Sequence, residues 1–280
     1  MRNPAVILII AHKAELTGAE LASLRQCYKV LGNHPIQLVC PEGLDVSVYR
    51  DVNKNAQVTF IDPGWQSSYR NFNLLKMDRL LYQVFSKYEY ILFYELDAWV
   101  FRDELEIWCK KGYDYIGAPW FEGEPPTESS RVMWARNGGF SLRKVSTSLR
   151  IAKRIDRLKK FRKFWYSSKL QAAVRFEKLL SAYGPRLKIV NRTELPKILY
   201  DCYELNEDHY WTDIVASVFS DFHIAPVEEA IKFSFEVNPA LLYTMNHHTL
   251  PFGCHAWEKY DPAFWKAFIA VPAFDSTTHF

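Results

Sequence analysis

The 280-residue sequence is poor in cysteine. Cys27, Cys40, Cys109, Cys202 and Cys254 make an odd count, and no two of them stand at metal-ligand spacing. That pattern excludes a disulfide-stapled framework and a structural zinc site, and a reducing, cytoplasmic setting is the expected location. No stretch reaches the ~18 consecutive apolar residues that a membrane-spanning helix requires. The apolar run Ala5-Val6-Ile7-Leu8-Ile9-Ile10-Ala11 is short, lacks a small-residue cleavage site and is followed at once by His12-Lys13. It reads as a buried first strand rather than a signal peptide. Internal repeats and low-complexity tracts are also missing, which removes solenoid and disordered architectures. Net charge is only +3, too small for the chain as a whole to be a polyelectrolyte binder.

What is present is an ordinary globular balance, 49% hydrophobic and 24% charged, at a length that suits one large domain with an insertion. The 16% aromatic content is explained as well by core packing as by carbohydrate binding. The order of elements is more informative. Val6–Ala11 is an apolar strand. Thr17 and Glu20 form a capping box ahead of a helix with Leu21, Leu24, Tyr28 and Leu31 on one face, ended by Gly32. Ile36–Cys40 and Val58–Ile61 are further strands. A helix is expected from Tyr69 to Phe85 and a fourth strand over Tyr90–Tyr94. Alternating β and α units of this length predict an α/β fold, a Rossmann-like, mainly parallel sheet flanked by helices. Beyond it the expectations are a short helix over Asp103–Lys110, strands at Tyr113–Ala118 and Gly138–Leu142, and helices at 149–165, Lys169–Ala182 and Asp208–Phe219. The last sixty residues read as irregular.

The strongest chemical signal is Tyr90-Ile91-Leu92-Phe93-Tyr94-Glu95-Leu96-Asp97-Ala98-Trp99-Val100-Phe101. A buried strand runs into an acidic pair at i and i+2, and in open α/β sheets ligands bind beyond the carboxyl ends of strands. Glu95 and Asp97 project to one side if the strand stays extended. Their hard oxygens suit Mg²⁺ or Mn²⁺ shared with substrate phosphates. In isolation the pair reads first as an acidic turn after a strand. Gly138-Gly139 would allow close backbone approach to a ligand, or mark a β-bulge.

The acidic pair resembles the Asp-x-Asp motif of glycosyltransferases with the GT-A fold, with Glu95 in place of the first Asp. Four segments together are similar to an uncharacterised bacterial and fungal family of GT-A-like domains. They are residues 96–101, residues 113–120, Asn137-Gly138-Gly139-Phe140-Ser141-Leu142-Arg143 and Pro251-Phe252-Gly253-Cys254-His255-Ala256-Trp257. The resemblance implies a single GT-A catalytic domain over 1–280 and a nucleotide-sugar donor, a UDP- or GDP-sugar. It implies that Asp97 binds the metal directly, with Glu95 a neighbouring or water-mediated contact. Asn206-Glu207-Asp208-His209-Tyr210-Trp211 resembles the x-Glu-Asp motif of inverting enzymes, which makes Asp208 the catalytic base for a hydroxyl acceptor, against the plain reading of a helix first turn. His255 falls where such enzymes take a third metal ligand, with His247 and His248 as rivals and Gly253 letting the chain turn nearby. Lys76 is a candidate for the donor diphosphate or base, against the alternative of a solvated helix face.

The expected reaction is sugar transfer to a carbohydrate or lipid-linked acceptor, as in surface polysaccharide or glycolipid synthesis. Two other readings stand beside it. A nucleotidyltransferase would usually open with a Gly-rich loop, which His12-Lys13-Ala14-Glu15-Leu16 lacks. A non-catalytic carbohydrate-binding or scaffold protein is suggested by the substitution at Glu95.

The resemblance leaves one segment unexplained. Lys and Arg crowd between Arg143 and Lys188, where only Asp156 and Glu177 are acidic, so the rest of the chain is net acidic. A basic helical insertion over 144–188 is expected. Within it Ile151, Ile155, Leu158, Phe161 and Trp165 form one apolar stripe opposite Lys153, Arg154, Arg157, Lys159, Lys160, Arg162 and Lys163. Such a helix suits an anionic membrane surface through 149–165, giving peripheral attachment at the inner face. The alternative is that the stripe packs on the catalytic domain. No nucleic-acid motif is present, and none is expected as a partner.

Overall fold

The structure, a computed structural model, describes residues 4–122, 130–167 and 206–270, with side chains of the long helix described as far as Arg157. Strand β1 (Ala5–Ile10) is buried at every position, as a strand covered on both faces must be. It pairs in parallel with β2 (Ile36–Pro41) on one side and β4 (Tyr90–Tyr94) on the other. Strand β3 (Gln57–Ile61) continues the sheet beyond β2. The full order is β3-β2-β1-β4-β9-β6, where β6 is Tyr115–Ile116 and β9 is Phe140–Lys144. Strand β9 runs antiparallel to both neighbours. The result is the α/β fold with a largely parallel central sheet that the sequence predicts.

Helix α1 (Gly18–Leu31) starts at the predicted capping box. Glu20 N–H donates to Thr17 Oγ1, and Thr17 N–H donates back to Glu20 Oε2 at 2.8 Å. Helix α2 (Ser47–Val52), between β2 and β3, has no counterpart in the sequence reading. The helix expected from Tyr69 to Phe85 is two helices, α3 (Tyr69–Met77) and α4 (Arg79–Val84). Asp78 breaks it, because its backbone is extended and its carboxylate accepts from Leu80 N–H to cap α4.

Two small sheets complete the site end of the molecule. Strands β5 (Trp99–Val100), β10 (Ser234–Phe235) and β11 (Gly253–Cys254) form one, in the order β10-β11-β5, with β10 parallel to β11 and β5 antiparallel to it. Strands β7 (Pro119–Phe121) and β8 (Val132–Ala135) form the other. Helix α5 (Leu105–Lys110) follows β5. The C-terminal region is more ordered than expected, since α8 (Val227–Phe233), α9 (Pro239–Met245) and α10 (Pro262–Trp265) surround β10 and β11. Trp257, Trp265, Phe235 and Leu242 are buried there in a cluster with Trp99. That aromatic packing, rather than local periodicity, forms the short elements.

The basic segment begins as helix α6 (Val145–Ser167). Ile151 and Ile155 are buried with Phe219 and Val218, while Lys153 and Arg157 are exposed. The first half of the stripe therefore packs on the domain and is unavailable to lipid. Leu158, Phe161, Trp165 and the helix expected at Lys169–Ala182 lie outside the described side chains and residues. Helix α7 (207–218) contains a π-helical stretch, Tyr210–Val215. Among the described residues Cys27, Cys40, Cys109 and Cys254 are free and buried, and no helix is long and apolar enough to cross a membrane.

Candidate functional site

Strand β4 ends at Tyr94, and the chain turns immediately. Ala98 N–H donates to Glu95 C=O at 2.9 Å, and Ser23 Oγ on α1 donates to Ala98 C=O at 2.6 Å. Glu95 and Asp97 thus converge through a turn, not through the alternation of an extended strand. Glu95 N–H donates to Gly139 C=O, because Gly139 directly precedes β9, whose Phe140 pairs with Tyr94.

The small sheet supplies the third group. Strand β11 runs antiparallel to β5, so the residue after Cys254 meets the residues before Trp99. That residue is His255. Its Nε2 lies 3.1 Å from Asp97 Oδ1 and 3.6 Å from Glu95 Oε2. One ligand atom from each of Glu95, Asp97 and His255 lies within 4.8 Å of the others, the spacing of a metal site. Nε2 is buried and makes no well-formed hydrogen bond. A buried ring nitrogen left without a partner, facing two carboxylates, fits a divalent ion with oxygen and imidazole ligands. The rivals His247 and His248 are exposed, with left-handed backbones in the turn after α9, and take no part.

The three groups also compensate one another's charge. Burial works against an imidazolium at His255, but the Asp97 charge first, with the bond to Glu236 and the nearby Glu95 carboxylate, holds its pKa well above the ordinary value. Burial likewise opposes the ionised Glu95, and Lys76 and His255 outweigh it, holding Glu95 below the usual carboxylate range.

Lys76 is not on a solvated helix face. It is 2% exposed, with Nζ 2.7 Å from Glu95 Oε1, 2.6 Å from Glu207 Oε1 and 3.3 Å from Gly138 C=O. Its amine is directed to protein carboxylates, so it acts on the site by holding Glu95. Burial disfavours its charge, yet Glu207 and Glu95 keep its pKa raised. Arg143, counted in sequence with the basic segment, is fully buried in β9, 2.7 Å from Glu207 Oε2 and 4.3 Å from the Phe93 ring centre. A chain of buried charges, Glu95–Lys76–Glu207–Arg143, therefore ties the acidic turn to the start of α7.

Asp208 follows Glu207. Its Oδ1 accepts from His209 N–H at 2.7 Å. Burial and the neighbouring Glu207 charge push its carboxyl pKa up to about 6. Along the same helix His209 and Asp213 bond to Arg136, whose guanidinium lies 6.0 Å from the Trp120 ring centre and 5.9 Å from that of Trp134.

The glycines are required by side chains of the protein itself. A Cβ on Gly138 would fall 1.9 Å from Glu207 Oε1, and one on Gly139 2.0 Å from His255 Nε2. Gly253 lies within β11 rather than at a turn, and a Cβ there would strike Phe140 and the Trp99 carbonyl. The sequence reading missed Arg143, Asn137 and Glu236. Asn137 was visible as part of a motif. Glu236 carried no local signal, since a single acid at the end of a two-residue strand, here Ser234–Phe235, is common.

A family described as protein of unknown function (DUF5672) matches residues 55–255. No curated protein matches the chain. Among solved structures it is similar to the galactosyltransferase LgtC in complex with donor and acceptor sugar analogs, at 11% identity and TM-score 0.46, covering 89% of this chain and 86% of that one. An active-site mutant of LgtC aligns at 13% identity and TM-score 0.47, with the same coverage. Mouse xyloside xylosyltransferase 1, in its apo form, aligns at 12% identity and TM-score 0.44, covering 89% and 96%.

Proposed function

The chain belongs to the family of proteins of unknown function, DUF5672, and for it we propose the activity of a metal-dependent glycosyltransferase that moves a sugar from a nucleotide-sugar donor to a hydroxyl acceptor. The observation that carries this reading is the convergence of Glu95, Asp97 and His255 at the carboxyl ends of β4 and β11, where an open α/β sheet binds ligands. Asp97 and His255 would hold Mn²⁺ or Mg²⁺, with Glu95 as a further oxygen donor. Bound there, the ion supplies positive charge to the diphosphate of a UDP- or GDP-sugar and stabilises the leaving nucleoside diphosphate.

The remaining work falls to the chain's own groups. Lys76 keeps Glu95 ionised and fixed. Gly138 and Gly139 leave room for Glu207 and His255 to reach their positions. Asp208 takes the proton of the acceptor hydroxyl. A carboxyl with a pKa of about 6 is mostly ionised at neutral pH and a stronger base than an ordinary Asp. Direct displacement with such a base inverts the anomeric centre. The acceptor is a carbohydrate or a lipid-linked sugar, as in polysaccharide or glycolipid synthesis. The cations of α6 favour peripheral attachment to an anionic membrane, by charge alone where Ile151 and Ile155 are buried.

The test is a screen of sugar nucleotides with Mn²⁺, following nucleoside diphosphate release. Release from one donor class, lost on chelation and in Asp97→Ala, is the expected result. A protein that binds Mn²⁺ yet releases nothing from any UDP- or GDP-sugar would end the transferase reading and favour a carbohydrate-binding role.

A further inference from the structure

Glu236 is 4% exposed and directly follows β10. In the parallel register of β10 and β11, Ser234 pairs with Gly253 and Phe235 with Cys254, so Glu236 and His255 leave the two strand ends side by side. The His255 N–H donates to Phe235 C=O at 3.0 Å and fixes the start of that departure. Glu236 Oε1 lies 3.0 Å from His255 Nδ1, and Oε2 has no hydrogen-bond partner. A buried carboxylate with so little compensation is costly, and no other described side chain is bonded to it.

The neighbours of Nδ1 decide which ring nitrogen carries the proton. Asn137 Nδ2 also lies 3.1 Å from Nδ1. Asn137 Oδ1 accepts from the N–H groups of Gly139 and Phe140, which fixes the amide with its NH₂ toward the ring. An NH₂ group donates only, whereas the ionised Glu236 carboxylate accepts only. With Nδ1 unprotonated, the ring would gain a neutral bond from Asn137 and turn a lone pair against a buried carboxylate. With Nδ1 protonated, it makes a charge-assisted bond to Glu236, the stronger of the two.

We propose that Glu236 is the positioning residue of the candidate metal centre. It holds the proton on Nδ1, and so leaves the Nε2 lone pair facing Glu95 and Asp97 as a ligand. A carboxylate behind a ligating imidazole fixes the ring and raises its basicity as a ligand. The inference rests on the metal-centre reading and adds a residue separated from His255 by 19 positions.

Mn²⁺ affinity, measured by the EPR signal of free ion, separates the two. Wild type is expected to bind one Mn²⁺ saturably. Glu236→Gln, whose amide can accept from or donate to Nδ1, is expected to bind about 10–100-fold more weakly while its metal-free thermal midpoint is kept. Wild-type affinity in a folded Glu236→Gln overturns the positioning role and leaves the metal centre standing. No saturable binding by wild type overturns the metal centre, and the inference with it. Should the variant fail to fold, long-range ¹H–¹⁵N spectra of the Mg²⁺-loaded wild type decide, with His255 assigned by its loss in His255→Asn. A proton on Nδ1 is expected, and a proton on Nε2 overturns the proposal.

Discussion

Gly139 stands so close to His255 that a Cβ on it would fall 2.0 Å from the imidazole Nε2. The candidate ligand atom thus occupies space that any other residue at 139 would fill. Gly139→Ala is expected to displace the ring, at an overpacking cost of about 1–3 kcal/mol. Mn²⁺ titration should show affinity falling with little change in secondary structure. Unchanged affinity would mean that Nε2 is not the ligand atom.

Asp97 and Glu95 are expected to differ. The Asp97 side chain is 45% exposed, and the buried His255 ring it faces keeps Glu236 and Glu95 beside it when Asp97 is removed. Asp97→Ala should abolish metal-stimulated turnover and leave the urea midpoint close to wild type. Glu95→Ala removes one of two carboxylates from the buried Lys76 amine, which keeps Glu207. It should destabilise by less than the ~3–5 kcal/mol of a fully orphaned buried charge and cost less turnover. Equal losses of turnover in the two variants would make both carboxylates direct ligands.

Asp208 gives a pH signature in both activity and stability. The base must be ionised, so kcat/KM should rise with pH through about 6, and Asp208→Asn should lose transfer while still binding donor. The stability effect has the opposite sign. A carboxyl raised from 3.8 to about 6 binds more protons folded than unfolded between those values, so its contribution falls as pH rises through that window. Denaturation of Asp208→Asn should match wild type near pH 4 and exceed it at pH 7. A variant less stable at both would show Asp208 to be a structural ion-pair partner.

The basic face of α6 borders a cavity of about 390 Å³ lined by Arg150, Lys153 and Arg157 together with Glu89. Vesicles containing phosphatidylserine should bind the protein at low salt and release it as salt rises. Each cation near such a surface contributes about 1 kcal/mol. Loss of both in Lys153→Glu with Arg157→Glu should therefore lower partitioning by roughly thirtyfold or more. Flotation of wild type free of such vesicles at low salt would end the membrane reading.

Local pattern along the chain carries part of this architecture. The β1 run, the Thr17–Glu20 capping box and the strand entering Glu95 and Asp97 were legible, because periodicity, caps and a strand ending in acids are written in adjacent residues. His255 and Asp208 were reached only through the resemblance of short motifs. How the groups meet depends on strand pairing between distant segments. The antiparallel pairing of β5 with β11 brings His255 to Asp97, and the parallel pairing of β10 with β11 sets Glu236 beside it. The burial of Lys76 between Glu95 and Glu207 turns what could pass for a solvated lysine into the link between two acidic sites. The sequence leaves the stripe of α6 open to a membrane or to the domain, and Ile151 and Ile155 pack on the domain with Phe219. Strand pairing and burial join residues more than a hundred positions apart, and no window of sequence long enough to show a helix or strand spans that separation.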